Sequence, residues 1–155
     1  MAELQTTYAT TLANGYAGMI ANGETSNRIT RTNEDSAGIG FGLPVYRGSG
    51  DHGCTATVGT LATFLGWTIA TSAQGYTASA DADEYAQYDN VAILTSGAIY
   101  VAVKGAVTDG AALTVGTDGD AADLVGATAA DATHIATGWI ADETVTDGLC
   151  RIVKR

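Results

Sequence analysis

The stretch Asn90-Val91-Ala92-Ile93-Leu94-Thr95-Ser96-Gly97-Ala98-Ile99-Tyr100-Val101-Ala102-Val103-Lys104 decides the fold class. It holds two β-rich runs with Ser96-Gly97 between them. In the second run Ile99, Val101 and Val103 share one face, while Tyr100, Ala102 and Lys104 share the other. A period of two in residues this rich in β-branched side chains predicts strand.

Strand patterns recur on both sides of it. Residues 27–32 alternate around two Thr and run into the acidic turn Asn33-Glu34-Asp35. Residues 39–48 place Ile39, Phe41, Leu43 and Val45 on one face, and Pro44 predicts an edge strand or a bulge there. Residues 65–71 set Leu65, Trp67 and Ile69 on one side, and the small, acidic residues 73–86 predict a surface loop. Thr108-Asp109-Gly110 and Thr117-Asp118-Gly119-Asp120 predict turns around a short strand at 112–116. Residues 134–141 and 149–154 flank an acidic loop ending in Asp147-Gly148 and predict a closing antiparallel pair. Gly66-Trp67-Thr68-Ile69-Ala70 is echoed by Gly138-Trp139-Ile140-Ala141, too briefly to define a repeat. Upstream, Asn14-Gly15 and Gly18 interrupt the helical spacing of residues 4–22 and favour an arm or short strands. The expected architecture is all-β: a small barrel or sandwich body over residues 26–155, preceded by an extended N-terminal arm over 1–25.

Composition sets bounds on function. Of 155 residues, 28 are Ala, 23 Thr and 20 Gly, so the 46% hydrophobic share contains few large side chains. Apolar burial stabilises by roughly 25 cal/mol per Å², so such a core gives modest stability alone, and contact with other subunits is expected to add to it. The formal charge is −10 and lies unevenly. Residues 48–150 hold thirteen acids against Lys104, whereas the last five residues hold Arg151, Lys154 and Arg155. An acidic body of this kind repels nucleic acid and anionic lipid, both of which are bound through clustered Lys and Arg. The N-terminal sequence lacks the basic start and apolar run of a secretory signal. The uncharged run 52–80 is too rich in polar residues for a membrane helix.

Motifs for chemistry are sparse. His52 and His134 are the available general bases, and no Gly-x-Ser-x-Gly elbow occurs. His52, Cys54, His134 and Cys150 have the ligand count of a zinc site without the spacing of a common zinc module, so structural side chains and free thiols are expected. Asp118, Asp120 and Asp123, like Asp81, Asp83 and Glu84, do not match a calcium loop and are expected as solvated turns. Gly38-Ile39-Gly40-Phe41-Gly42 continues into strand, where a phosphate cradle requires a helix. Neither catalytic, metal-binding nor cofactor-binding residues are expected. A small enzyme with an unrecognised carboxylate pair is a less favoured alternative.

The succession Gly18-Met19-Ile20-Ala21, residues 28–32, Ile39-Gly40-Phe41-Gly42 leading to Val45-Tyr46-Arg47-Gly48, Leu65-Gly66-Trp67-Thr68-Ile69-Ala70, residues 85–89 and Gly97-Ala98-Ile99-Tyr100-Val101 resembles the cement, or decoration, proteins of tailed double-stranded-DNA phages. The resemblance spans residues 16–153 and rests on the order of short pieces. It implies a small β-rich protein, barrel-like or tulip-like, that binds the outside of an icosahedral shell at symmetry axes, often as a trimer, and reinforces it against internal DNA pressure. The implied partners are the major capsid protein and the chain itself, as a homotrimer or alternatively a dimer. The implied location is the virion's outer capsid surface, after synthesis in the host bacterial cytoplasm. Because the body is acidic, Arg28, Arg31, Arg47, Arg151, Lys154 and Arg155 are the expected capsid or subunit contacts. A tail- or fibre-associated adhesin domain is the alternative from another class.

Overall fold

A computed structural model describes residues 15–71, 83–116, 125–129, 131 and 133–155. The expected turn at 117–120, Asp81 and the aspartates at 118, 120 and 123 lie outside the described residues, as do residues 1–14 of the arm. The described residues form ten strands and no helix: β1 (Asn27–Asn33), β2 (Ile39–Gly40), β3 (Pro44–Arg47), β4 (Gly53–Thr55), β5 (Phe64–Thr68), β6 (Glu84–Tyr85), β7 (Asn90–Val107), β8 (Ala112–Gly116), β9 (His134–Ala141) and β10 (Val145–Lys154).

The 15-residue stretch that opened the sequence reading lies within one continuous strand, β7, of 18 residues. Its two halves belong to different closed units. The first half pairs with β1 and β5, and the order β1-β4-β3-β5-β7 returns to β1, closing a five-stranded barrel. The second half pairs with β10 along nine register positions, and the sheet continues through β9 to β8. Residues 125–126 then span from β8 back to β7, because Gly126 pairs with Thr114 and the Val125 carbonyl accepts from the Lys104 amide at 2.8 Å. This second unit is thereby also a hydrogen-bonded circuit.

A bulge makes the sharing possible. Between Asn27 and Arg28 β1 advances one residue while β7 passes from Ser96 to Leu94, and Gly97 beside it has φ +124°. An inserted residue shifts side-chain parity. Ala92 and Leu94 before the bulge and Ile99, Val101 and Val103 after it therefore join the same apolar cluster. Val91 and Ile93 point instead into the barrel, against Ile39, Val45, Cys54 and Tyr85. An edge-to-face aromatic series, Tyr46–Phe64–Trp67–Trp139, with centroid spacings of 5.6, 5.9 and 6.3 Å, runs from β3 and β5 of the barrel to β9 of the second sheet, and its Trp67 and Trp139 belong to the first cluster. The two echoing Gly-Trp segments thus meet, one from β5 and one from β9.

Several local expectations change. Residues 39–48 are split into β2 and β3 by a turn at Phe41-Gly42, although Ile39, Phe41, Leu43 and Val45 do pack in one cluster. Pro44 begins a strand paired on both sides, and a register shift follows between Val45 and Tyr46, so the bulge holds and the edge does not. Leu65 packs with the barrel cluster while Trp67 and Ile69 pack with the other, separated by Gly66 at φ +154°. The acidic segment 73–86 ends in β6, whose Tyr85 is buried and donates its hydroxyl to the Ile69 carbonyl. Asp147-Gly148 ends no loop: it lies inside β10, where Asp147 takes φ +65° at a second bulge, and β10 pairs mainly with β7. In the expected arm, residues 18–21 bond β7 on the edge away from β10, through Gly18 and Ala21 amides to the Tyr100 and Ala98 carbonyls at 2.8 and 2.9 Å.

A Cβ at Gly66 would lie 2.1 Å from the Leu94 carbonyl oxygen, on backbone that cannot yield without opening the β5–β7 ladder. Gly66→Ala is expected to destabilise the fold by about 2 kcal/mol or more. Gly23→Ala, with nothing within 4 Å, is expected to leave stability unchanged. Chemical denaturation of the two variants beside the parent measures the contrast.

Candidate docking surface

The turn after β1 carries the densest polar wiring among the described residues. Asn33, fully buried, donates its side-chain amide to the Tyr85 and Ala86 carbonyls at 2.9 and 3.0 Å. Its backbone amide bonds the Asp89 carbonyl, and its carbonyl accepts from the Tyr88 amide, both at 2.9 Å. Glu34 accepts from the Ser49 amide, the Ser49 hydroxyl and the Gly50 amide, each at 2.8 Å. Its carboxylate occupies the space a Cβ at Gly53 would need, only 1.6 Å from Oε1. Asp35 accepts from the Thr55 hydroxyl and the Ala56 amide, both at 2.6 Å. Three consecutive polar side chains therefore fix the turn at 86–89, the turn at 48–53 and the end of β4. In the sequence they read as an acidic turn; the Gly-Ser-Gly segment at 48–50 was the available signal for a carboxylate-binding loop.

The six expected contact residues fall into two groups. Arg31 and Arg47 flank the 48–53 turn: Arg47 leads into it opposite Cys54, and Thr32, next to Arg31, donates to the His52 carbonyl at 2.9 Å. Arg31 also donates to the Thr30 carbonyl at 3.0 Å. The others gather around the middle of β7. Arg28 sits opposite Leu94, with its guanidinium 3.4 Å from the Ser26 hydroxyl, and Lys154 sits opposite Gly97. Arg151 is 2.8 Å from Asp142 and Arg155 is 3.0 Å from Glu24, so these two are already paired with acids of the body. The hydrogen bond from Arg155 holds the Glu24 carboxyl below its ordinary range. Among the described residues Arg28, Arg31, Arg47 and Lys154 have no acidic side-chain partner.

The four His and Cys residues are not brought together. Cys54 and Cys150 are buried in different clusters, and His52 is exposed in a turn, so His52 and Cys54 do not face the same way. Burial, reinforced by Asp35 and Glu34, pushes the Cys54 thiol up to about 11. Burial and the nearby Glu143 push Cys150 up to about 11 as well. His134 is bonded through Nδ1 to Asp131 at 3.0 Å, at the start of β9. Amides of Thr133 and His134 also donate to Asp131, and these bonds lower its carboxyl to about 2. A cleft of about 380 Å³ is lined, among the described residues, by Tyr16, Ala17, Phe41, Ala70, Thr71 and Asp83.

With this geometry in view, the sequence matches, over residues 4–154, the family described as structural cement protein (E217 gp24/Pam3 gp6). The chain belongs to the phage structural cement proteins. A chain of the solved capsid of Myoviridae phage XM1 shares its fold, with a TM-score of 0.71 over 99% of this chain and 97% of that one. Sequence identity is 12%, so this likeness is one of fold. No curated protein matches the sequence. In this cement protein the expected contact residues without an ion-pair partner among the described residues, Arg28, Arg31, Arg47 and Lys154, come from β1, β3 and β10.

Hydrogen bonds from the Ser49 and Gly50 amides and the Ser49 hydroxyl lower the Glu34 carboxyl below its ordinary value. A folded-state value below the unfolded one gives stability that is complete above the unfolded value, about 4.3, and is lost as pH falls through the folded one. The stability gap between the parent and Glu34→Gln is therefore expected to be widest near neutral pH and to narrow as pH drops from 5 toward 3, read by urea melts across that range. The thiols give a separate check. Both are expected to resist Ellman's reagent at pH 8 in the native protein and to titrate at two per chain in denaturant.

Proposed function

We propose that this protein binds the outer surface of the phage head as a homotrimer and ties neighbouring major capsid protein subunits together. The single observation that carries the reading is the family match across residues 4–154, which takes in all of the described body except Arg155. Adhesion here is a linkage effect: a protein that binds the assembled shell and not its separated subunits adds its binding free energy to shell cohesion. Contacts from several subunits of one oligomer raise avidity beyond any single contact, and about 800 Å² per partner suffices for specific docking.

The cationic residues supply the orientation. Arg28, Arg31, Arg47 and Lys154 are the charges an acidic shell surface would engage first, because no acid of the described body neutralises them. Arg151 and Arg155 would have to exchange Asp142 and Glu24 for a carboxylate of the partner, and they contribute less. The N-terminal arm, residues 1–25, and one end of the β body make the contact. Synthesis takes place in the host cytoplasm, and the protein ends on the virion exterior.

Purified protein mixed with expanded heads that lack it is expected to give saturable density on the outer surface, and the decorated heads are expected to melt at higher temperature than bare ones. The double variant Arg31→Glu/Arg47→Glu is expected to bind at least about tenfold more weakly, with a shallower dependence on salt. Density confined to the head interior, or none, refutes the reading. Wild-type binding by the double variant refutes the assignment of the basic residues alone.

A further inference from the structure

Tyr88 combines three properties that are rarely found together. Its φ is +69°, in the left-handed region where an aromatic L residue is strained and Gly or Asn is at ease. Its side chain is 75% exposed, the most exposed of the large hydrophobic residues in the described body, so no core contact explains the choice of tyrosine. Its backbone is held on both sides. The Tyr88 amide bonds the Asn33 carbonyl at 2.9 Å, the Asp89 amide bonds the Ala86 carbonyl at 3.1 Å, and the Asp89 carboxylate accepts from the Ala86 amide at 3.0 Å. Gln87 adds a bond to the Glu34 carbonyl at 3.2 Å. The buried Asn33 side chain fixes the residues just before this turn.

Strain at an exposed position with no folding benefit marks a residue kept for what it meets outside the molecule. A tyrosine held on a locked turn loses little conformational freedom on docking, and tyrosine is among the residues that dominate protein–protein contacts. The charges around it narrow the partner. Glu34, Asp35 and Asp89 spend their carboxylate oxygens on backbone amides and hydroxyls of this same region, while Arg31 and Arg47 beside the neighbouring turn lack an acidic partner among the described residues. We infer that Tyr88 is a preorganised anchor that inserts into an apolar pocket rimmed by carboxylates on a shell subunit, with Arg31 and Arg47 meeting the rim. This inference rests on the adhesive role proposed above and adds to it the residue that carries the contact.

The test compares wild type with Tyr88→Asn, Tyr88→Gly and Tyr88→Ala for binding to undecorated heads, thermal melting and oligomeric state by light scattering. Asn and Gly suit the left-handed backbone, so these two variants are expected to melt at or above the wild-type temperature and yet bind heads at least tenfold more weakly. Tyr88→Ala is expected to lose binding to the same degree. Full binding by Tyr88→Asn and Tyr88→Gly, while the wild type binds, overturns the anchor and leaves the adhesive role standing. A change of oligomeric state in place of head binding also overturns it, assigning Tyr88 to contact with a second copy. Failure of the wild type to bind overturns the adhesive role and the anchor together.

Discussion

The structure depends on one strand doing duty in two closed sheets. β7 is 18 residues long, roughly 60 Å at the rise of an extended chain. Its first half cannot leave the barrel, nor its second half the β10 sheet, without breaking ladders on both flanks. A straight strand could not serve both interiors, because side chains of one parity would face one core in one half and solvent in the other. The bulge opposite Asn27 resolves this conflict, and the neighbouring Gly97 supplies the backbone angle. Ala98 and Tyr100 then fall on the other side, beneath residues 18–21. The small core counted from composition is thus divided into two clusters, and the Tyr46–Phe64–Trp67–Trp139 series ties strands β3 and β5 of the barrel to β9 of the second sheet.

Polar staples finish what the thin core leaves open. Asn33, Glu34 and Asp35 each convert a long connection into a fixed loop by accepting or donating bonds that would otherwise go to water. Loops with two or three such bonds can hold a strained residue such as Tyr88, because the cost of its backbone angle is distributed over a network in which every partner is engaged. The same network explains how so acidic a chain can present cationic side chains: several of its carboxylates are turned inward onto amides, while Arg28, Arg31, Arg47 and Lys154 remain outside.

Strand periodicity was legible where the backbone is regular: residues 27–33, 99–103 and 134–141 stand close to where alternation puts them, and 112–116 was bracketed by its turn signals. It failed at irregularities that period two cannot register. Nothing in Ser96-Gly97 distinguishes a bulge from a connection, and Asp147-Gly148 carries the composition of a turn while lying within β10. Tyr85 was hidden because a two-residue strand has no period. The docking surface was less legible than the fold. Net charge pointed to the six basic residues, but their division into two groups, and the pairing of Arg151 and Arg155 with Asp142 and Glu24, follow from register and not from sequence spacing. Tyr88 carries no sequence signal at all, since its significance is a backbone angle.

Closure of both sheets constrains how such a protein can bind. An open sheet edge offers a ladder of unpaired amides and carbonyls, and on a surface crowded with identical copies that ladder would favour indiscriminate strand addition. Here the barrel closes on itself through β1 and β7, the second sheet closes through residues 125–126, and residues 18–21 cover the remaining edge of mid-β7. These pairings take up ladder groups of the barrel and of mid-β7, and the turns around Glu34, Asp35 and Asp89 are held by side chains. Turns are ordinarily the softest parts of a β protein. The carboxylates of Glu34, Asp35 and Asp89 fix these turns by accepting bonds from backbone amides and hydroxyls, so part of the chain's acidity serves to hold its loops in place.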